Sequence, residues 1–188
     1  MATTEAAIVA LSYSHSIAGR LVLQEQRLSD MLNDRRESVV RLRDAVLTRL
    51  STGKLIERNK LSIASKEHLV LVFEQGEHTA GSGKRPYAYT IKQAYHVFIV
   101  AHSFEVRGIM YSKGNLDIYE LHRFIATSSD IFVPVVEATV ILPNGQEFRK
   151  QTGVMVNAPH IDYITKLDLP SDASLKAVTP SAAQRPAS

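Results

Sequence analysis

The chain has 188 residues, 45% of them hydrophobic and 22% charged, which excludes a wholly disordered protein and suits one large or two small domains. It has no cysteine, so disulfides, thiolate zinc sites, iron–sulfur clusters and cysteine nucleophiles are excluded. The net charge of +3 is uneven: residues 1–95 carry 14 Lys and Arg against 10 Asp and Glu, and residues 96–188 carry 8 against 9.

Met1-Ala-Thr-Thr-Glu-Ala-Ala lacks a basic leader and does not read as a signal peptide. No apolar run reaches the roughly 18–20 residues of a membrane span. A cytoplasmic, bacterial protein is expected.

In chain order, Ala6–Tyr13 and Ser16–Leu23 read as strands. Gly19, inside the second, marks a bulge or a close backbone approach. Leu28, Met31 and Leu32 fall on one helical face, so Arg27–Asp34 is expected to form one or two helical turns. Asn33 and Asp34 are its stop residues, and Asp30 is placed to anchor the turn on local backbone N–H groups. Val39–Leu50 fits a helix as well as a strand; its counterpart Ile131–Leu142, β-branched and interrupted by Pro134, decides for a strand. Asn144-Gly145 is the strongest hairpin signal, expected as a type I′ turn with positive φ at both residues. Lys54–Ala64, Glu67–Glu74, Gln146–Asn157 and Ile161–Leu167 complete the strands.

The segments 8–74 and 97–168 share an apolar pattern. Val9, Leu11, Ser14, Ile17, Gly19 and Leu21 stand opposite Phe98, Val100, Ser103, Val106, Gly108 and Met110. Later, Leu28, Met31 and Leu32 meet Leu121, Phe124 and Ile125, and Leu61 and Ile63 meet Val154 and Val156. Self-similarity at this period reads as an internal duplication. The expected fold is mainly β: two tandem small modules, SH3-like or Sm-like barrels or bent sheets, with one short helix each. Their boundaries are a first module at 6–75, a linker at 76–95, a second module at 96–169 and a disordered tail at 170–188. Packing about a pseudo-twofold axis is expected.

With Gly19, Arg27-Leu-Ser-Asp-Met-Leu-Asn33, Val39–Ala45 and Leu61–Val72, the first half resembles a small uncharacterised bacterial β-domain family with an Arg-Leu-Ser-Asp-x-Leu-Asn turn. In the second half Glu120-Leu-His-Arg-Phe-Ile-Ala126 replaces that turn. The resemblance implies a fold and carries no assigned activity.

Catalytic patterns are weak. His15, His68, His78, His96, His102, His122 and His160 show no helical zinc spacing, and no metal or other cofactor is expected. Ser14 lies beside His15 and Ser103 beside His102, but neighbours on a strand point to opposite faces. Ala80-Gly-Ser-Gly-Lys-Arg lacks the spacing of a phosphate loop and reads as linker. Asp30, Asp34, Glu37 and Asp44 are better read as caps and solvated charge than as an acid–base group.

A basic stretch is the remaining feature. From Arg35 to Lys66 there are nine Lys and Arg against three acids. Arg41, Arg43 and Arg49 share strand parity and, with Arg58, could contact phosphates; a solvated strand face is the plainer reading. Aromatic stacking residues are missing there. The expectation is therefore a non-enzymatic interaction or scaffold protein. The alternative is a nucleic-acid or nucleotide binder using Arg41, Arg43, Arg49 and Arg58.

Overall fold

The computed structural model describes residues 4–23, 26–75 and 92–167. The first half contributes β1 (Thr4–Leu11), β2 (His15–Leu23), α1 (Leu28–Asn33), β3 (Val39–Arg49), β4 (Leu55–Ser65), a 3-10 turn (Lys66–His68) and β5 (Leu71–Glu74). The same order of elements follows in β6 (Lys92–Ala101), β7 (Phe104–Lys113), α2 (Ile118–Thr127), β8 (Phe132–Ile141), β9 (Glu147–Asn157), a 3-10 turn (Ala158–His160) and β10 (Ile161–Lys166). β6 thus takes in Lys92–Tyr95 of the expected linker. The rest of that linker, the Ala80–Arg85 segment, His78 and the tail lie outside the described residues. Among the described residues, no helix is long and apolar enough to cross a membrane.

Among the described residues all strand pairs are antiparallel, and the ten strands form one sheet in the order β10-β6-β7-β8-β9-β5-β1-β2-β3-β4. The mainly β expectation holds. The strands form one open ladder, not two closed barrels. The halves join edge to edge through β5 and β9, with Leu71, Val72 and Phe73 opposite Val156, Met155 and Val154. β5 is the fifth strand of its half and β9 the fourth of its own. Unlike strands meet, whereas a twofold axis would bring like strands together.

The cores interdigitate across this joint. Val9, Leu11, Leu71 and Phe73 pack with the second half's Val97, Val106 and Val154. In return, Phe132 and Met155 pack with the first half's Ile8, Val40 and Val72. Asn157, almost fully buried, donates to Lys66 O (3.2 Å) and Leu69 O (2.7 Å) and ties β9 to the turn before β5.

Both halves carry the same bulge. In the β2–β3 ladder Ala18 faces Val46 but Arg20 faces Arg43, so Gly19 spans Asp44 and Ala45, with Asp44 at φ 48°. In the β7–β8 ladder Gly108 likewise spans Glu137 and Ala138, with Glu137 at φ 51°. A two-against-one bulge crowds the single residue opposite it. A Cβ on Gly19 would lie 3.1 Å from Arg43 O, and one on Gly108 only 2.7 Å from Val135 Cγ1. That crowding is why glycine stands inside each strand. Pro134 pairs with Met155 on β9 and lies beyond Val136, the last β8 residue registered against β7.

The β8–β9 turn differs from expectation. Gly145 has φ 81°, but Asn144 is not in the positive region, and Gly145 N donates to Leu142 O (2.9 Å). With Leu142 N donating to Gln146 O (2.8 Å), this is a three-residue loop ending in a left-handed glycine. The β3–β4 loop spans four residues, closed by Arg49 N donating to Lys54 O (2.9 Å). One loop is therefore a residue longer than the other, and this alters the match between the halves. Leu42 faces Ser62 where Val135 faces Val154, so Ser62 and Ala64, not Leu61 and Ile63, stand at the positions of Val154 and Val156. A one-residue slip reverses the face of every side chain, and Leu61 and Ile63 accordingly point outward.

Candidate functional site: a charged groove beside an open strand edge

α1 buries Leu28 and Leu32 and is held at its start by Asp30, whose carboxylate accepts the Arg27 N–H at 3.4 Å. A helix this short leaves its last carbonyls without intrahelical partners. Lys66 supplies them: its Nζ donates to Met31 O (2.6 Å) and Asp34 O (2.9 Å). The Lys66 side chain is buried to reach them, and burial pulls its pKa below the ordinary lysine value, opposed by Asp34 and Glu37.

Just past the helix, Arg36 grips Asp34 with two charge-assisted hydrogen bonds, Nε to Oδ1 (2.9 Å) and Nη2 to Oδ2 (2.7 Å). The Arg36 side-chain bonds, and then its backbone N–H, bring the Asp34 pKa down from 3.8 to about 2. Between α1 and β3 opens a groove of about 620 Å³ whose walls include Met31, Val39, Leu61, Arg36, Arg41 and Arg43.

The groove carries charges of both signs. Arg41 pairs with Glu37 at 3.6 Å, and Arg43 and Arg20 pair with Glu5 at 3.2 and 3.8 Å. These pairs are solvent-exposed, and such pairs contribute only about 0–1 kcal/mol each. They nonetheless place an acid beside every arginine of the groove, so an incoming phosphate competes with a resident carboxylate.

Of the four arginines singled out from sequence, only Arg41 and Arg43 meet at the groove. The Asp44 bulge breaks the strand alternation, so Arg49 shares its parity with buried Ala45 instead of with exposed Arg41 and Arg43. Arg49 also lies opposite His15, six positions beyond Arg43 and so about 20 Å away along the strand. Arg58 is on β4 opposite Val46, past the bulge. The stripe of shared parity is thus divided, and the four do not form one surface.

Next to the groove runs β4, the last strand of the ladder among the described residues. Leu61 and Ile63 face Arg43 and Arg41 across the β3–β4 ladder and are 68% and 67% exposed. Sequence reasoning missed this edge, having matched the two residues to Val154 and Val156, which the structure buries.

At the opposite rim the hairpin tips meet. The Tyr13 and His102 rings stack edge to face at 4.1 Å, and His160 lies 5.3 Å from His102 and donates from Nε2 to Glu67 O (2.7 Å). Ser14 and His15 do make contact, Oγ to Nδ1 at 2.8 Å, against the expectation from strand alternation. Ser14 belongs to the β1–β2 turn, where alternation does not hold. The contact is exposed, and a serine there lacks the enclosed setting that activates a nucleophile. Among the described residues no group of three or more His, Asp or Glu is arranged to hold a metal ion.

The chain matches no protein-family model, and searches of curated proteins and of solved structures also return no match.

Proposed function

We propose that this chain is a non-catalytic interaction protein, built from a duplicated bent β module of small-barrel order, that captures a partner by strand addition at β4. The carrying observation is the edge itself. β4 spans Leu55–Ser65, terminates the ladder among the described residues, and leaves Leu61 and Ile63 in solvent. A long unpaired edge with exposed apolar side chains is a template for another strand. In strand addition the main chain supplies affinity and alternate side-chain sites supply selectivity. The adjacent groove offers such sites, since Leu61 shares its wall with arginine and carboxylate groups. Repetition of the element order in the two halves supports the duplication.

The test is selection of short extended peptides from a display library on the wild-type chain, with counter-selection on Leu61→Asp/Ile63→Asp. Enriched peptides should slow amide exchange along 55–65. Failure to enrich any, or unchanged exchange in β4, would remove the reading.

The second reading, a nucleic-acid or nucleotide binder, rests on Arg41 and Arg43 standing together on one face with Arg36. Fluorescence anisotropy with labelled single- and double-stranded nucleic acids at about 50 and 200 mM salt decides it, since phosphate contacts weaken steeply over that range. Binding lost in Arg41→Ala/Arg43→Ala would favour it; no binding at low salt would eliminate it.

A further inference from the structure

Among the described residues, the sheet ends in two strands without neighbours on their outer sides, β4 and β10. They occupy, in their halves, the ladder positions that β9 and β5 occupy in theirs. Leu42 faces Ser62 as Val135 faces Val154. Ala10 faces Val72 as Ile99 faces Ile164. The two strands that pair inside the chain are therefore the counterparts of the two left open at its ends. We infer that the open edges accept one another: β4 of one molecule pairs antiparallel with β10 of a second copy. This rests on the strand-addition reading and names its partner.

The internal joint supplies the register. Leu71, Val72 and Phe73 face Val156, Met155 and Val154. Carried to the open edges, Tyr163, Ile164 and Thr165 of one copy face Ala64, Ile63 and Ser62 of the other. The exposure of these residues matches a missing neighbour. Met155 is 6% exposed because it enters the other half's core beside Val72 and Leu69, whereas Ile63, its counterpart, is 67% exposed. Leu71 is fully buried at the joint, whereas Tyr163, its counterpart, is 53% exposed and rests edge to face on Phe98.

Charge placement agrees with this register. Glu57, Arg58 and Lys60 occupy the first part of β4, where charged side chains discourage edge pairing. The paired stretch, 62–64, is free of charge. On β10 the irregularity at Asp162 falls just before Tyr163 and leaves 163–165 in regular register with β6.

A contact between unlike strands is heterologous, so it propagates from copy to copy until a ring closes or a filament grows. It also lacks two features of the internal joint. Asn33, which ties α1 to β8, has Ala126 as its counterpart on α2, and Asn157 has Ser65 on β4. The contact between copies therefore has strand pairing and apolar burial without those amides, and is expected to be reversible.

Sedimentation velocity of the full chain over a wide concentration range tests it. Wild-type chain should assemble with rising concentration. Ile63→Asp and Tyr163→Asp, at exposed positions, should each stay monomeric. Mixed, they retain one sound β10 and one sound β4, and should form a one-to-one pair that grows no further. The absence of cysteine allows an independent check of register, which also serves if an aspartate variant fails to fold. Ser62→Cys and Thr165→Cys chains oxidised together should give a mixed disulfide dimer that neither gives alone. A monomeric wild type at every concentration, association surviving either aspartate substitution in a folded chain, or no mixed disulfide would overturn the inference. A monomeric wild type that still selects β4-binding peptides would leave the strand-addition reading standing; loss of both would remove both.

Discussion

The side-chain amide of Asn33 satisfies both backbone groups of Phe132: its Nδ2 donates to Phe132 O at 3.0 Å and its Oδ1 accepts Phe132 N–H at 2.7 Å. One residue at the end of α1 thus completes the start of β8, 99 positions away in sequence, where Phe132 is fully buried. A buried backbone group left without a partner costs about 1–3 kcal/mol. Asn33→Ala should therefore lower unfolding free energy by about 1–3 kcal/mol, with amide exchange accelerated at Phe132 before the rest of the sheet. A urea midpoint unchanged from wild type would show that water replaces the amide without penalty.

The two bulge glycines should respond unequally to one methyl group. At Gly19 the nearest atom is Arg43 O at 3.1 Å, a contact that small backbone shifts relieve. At Gly108 a Cβ meets Val135 Cγ1 at 2.7 Å and Val136 O at 2.8 Å, and the second of these is backbone. Overpacking of this kind costs about 1–3 kcal/mol. Gly108→Ala should approach the upper part of that range in urea unfolding, and Gly19→Ala should fall well below it. Equal losses would mean that the bulges are not limited by these contacts.

Several features were legible in the residues because they are local. Gly19 signalled its bulge, Leu28 and Leu32 signalled a short helix, and Pro134 settled Val39–Leu50 as a strand through its counterpart segment. What was lost depended on single-residue differences. The β3–β4 loop is one residue longer than the β8–β9 loop, and keeping that difference through β4 matches Ser62 and Ala64, not Leu61 and Ile63, to Val154 and Val156. The Asp44 bulge separates Arg49 from Arg41 and Arg43 in the same way. The pairing of β5 with β9 had no local signal, because register between distant strands is set by which faces bury together.

The Asp34–Arg36 pair gives a defined acid titration. The folded pKa of Asp34, about 2, lies below its ordinary value of 3.8, so the unfolded chain takes up the proton first as pH falls. Its contribution to stability is fully present above the ordinary value and is lost as pH drops toward about 2. Carboxyl-detected NMR should find a midpoint near 2 in the wild type. Arg36→Ala should move it up toward 3.8, since the guanidinium bonds are the largest cause of the shift. A midpoint unmoved by that substitution would assign the depression to another group.

Lys66 should show linkage of the same sign, caused by burial instead of by pairing. It is buried at the end of α1 with its ammonium on Met31 O and Asp34 O, and burial lowers its folded pKa. Between that lowered value and the ordinary lysine value of 10.5, the unfolded chain holds more protons than the folded one. By linkage, the stability owed to this group rises with pH through that window. Lys66→Met keeps much of the side-chain volume and removes both donors, leaving two carbonyls to find water in a half-closed site. The expected loss is about 1–3 kcal/mol at neutral pH, with fraying of 28–34 seen as faster amide exchange. Measured as a difference between wild type and variant, the loss should grow as pH rises through the window, provided the neutral amine keeps donating to the two carbonyls. A loss that shrinks with pH would show that the charge of Lys66, more than its hydrogen bonds, holds the end of α1.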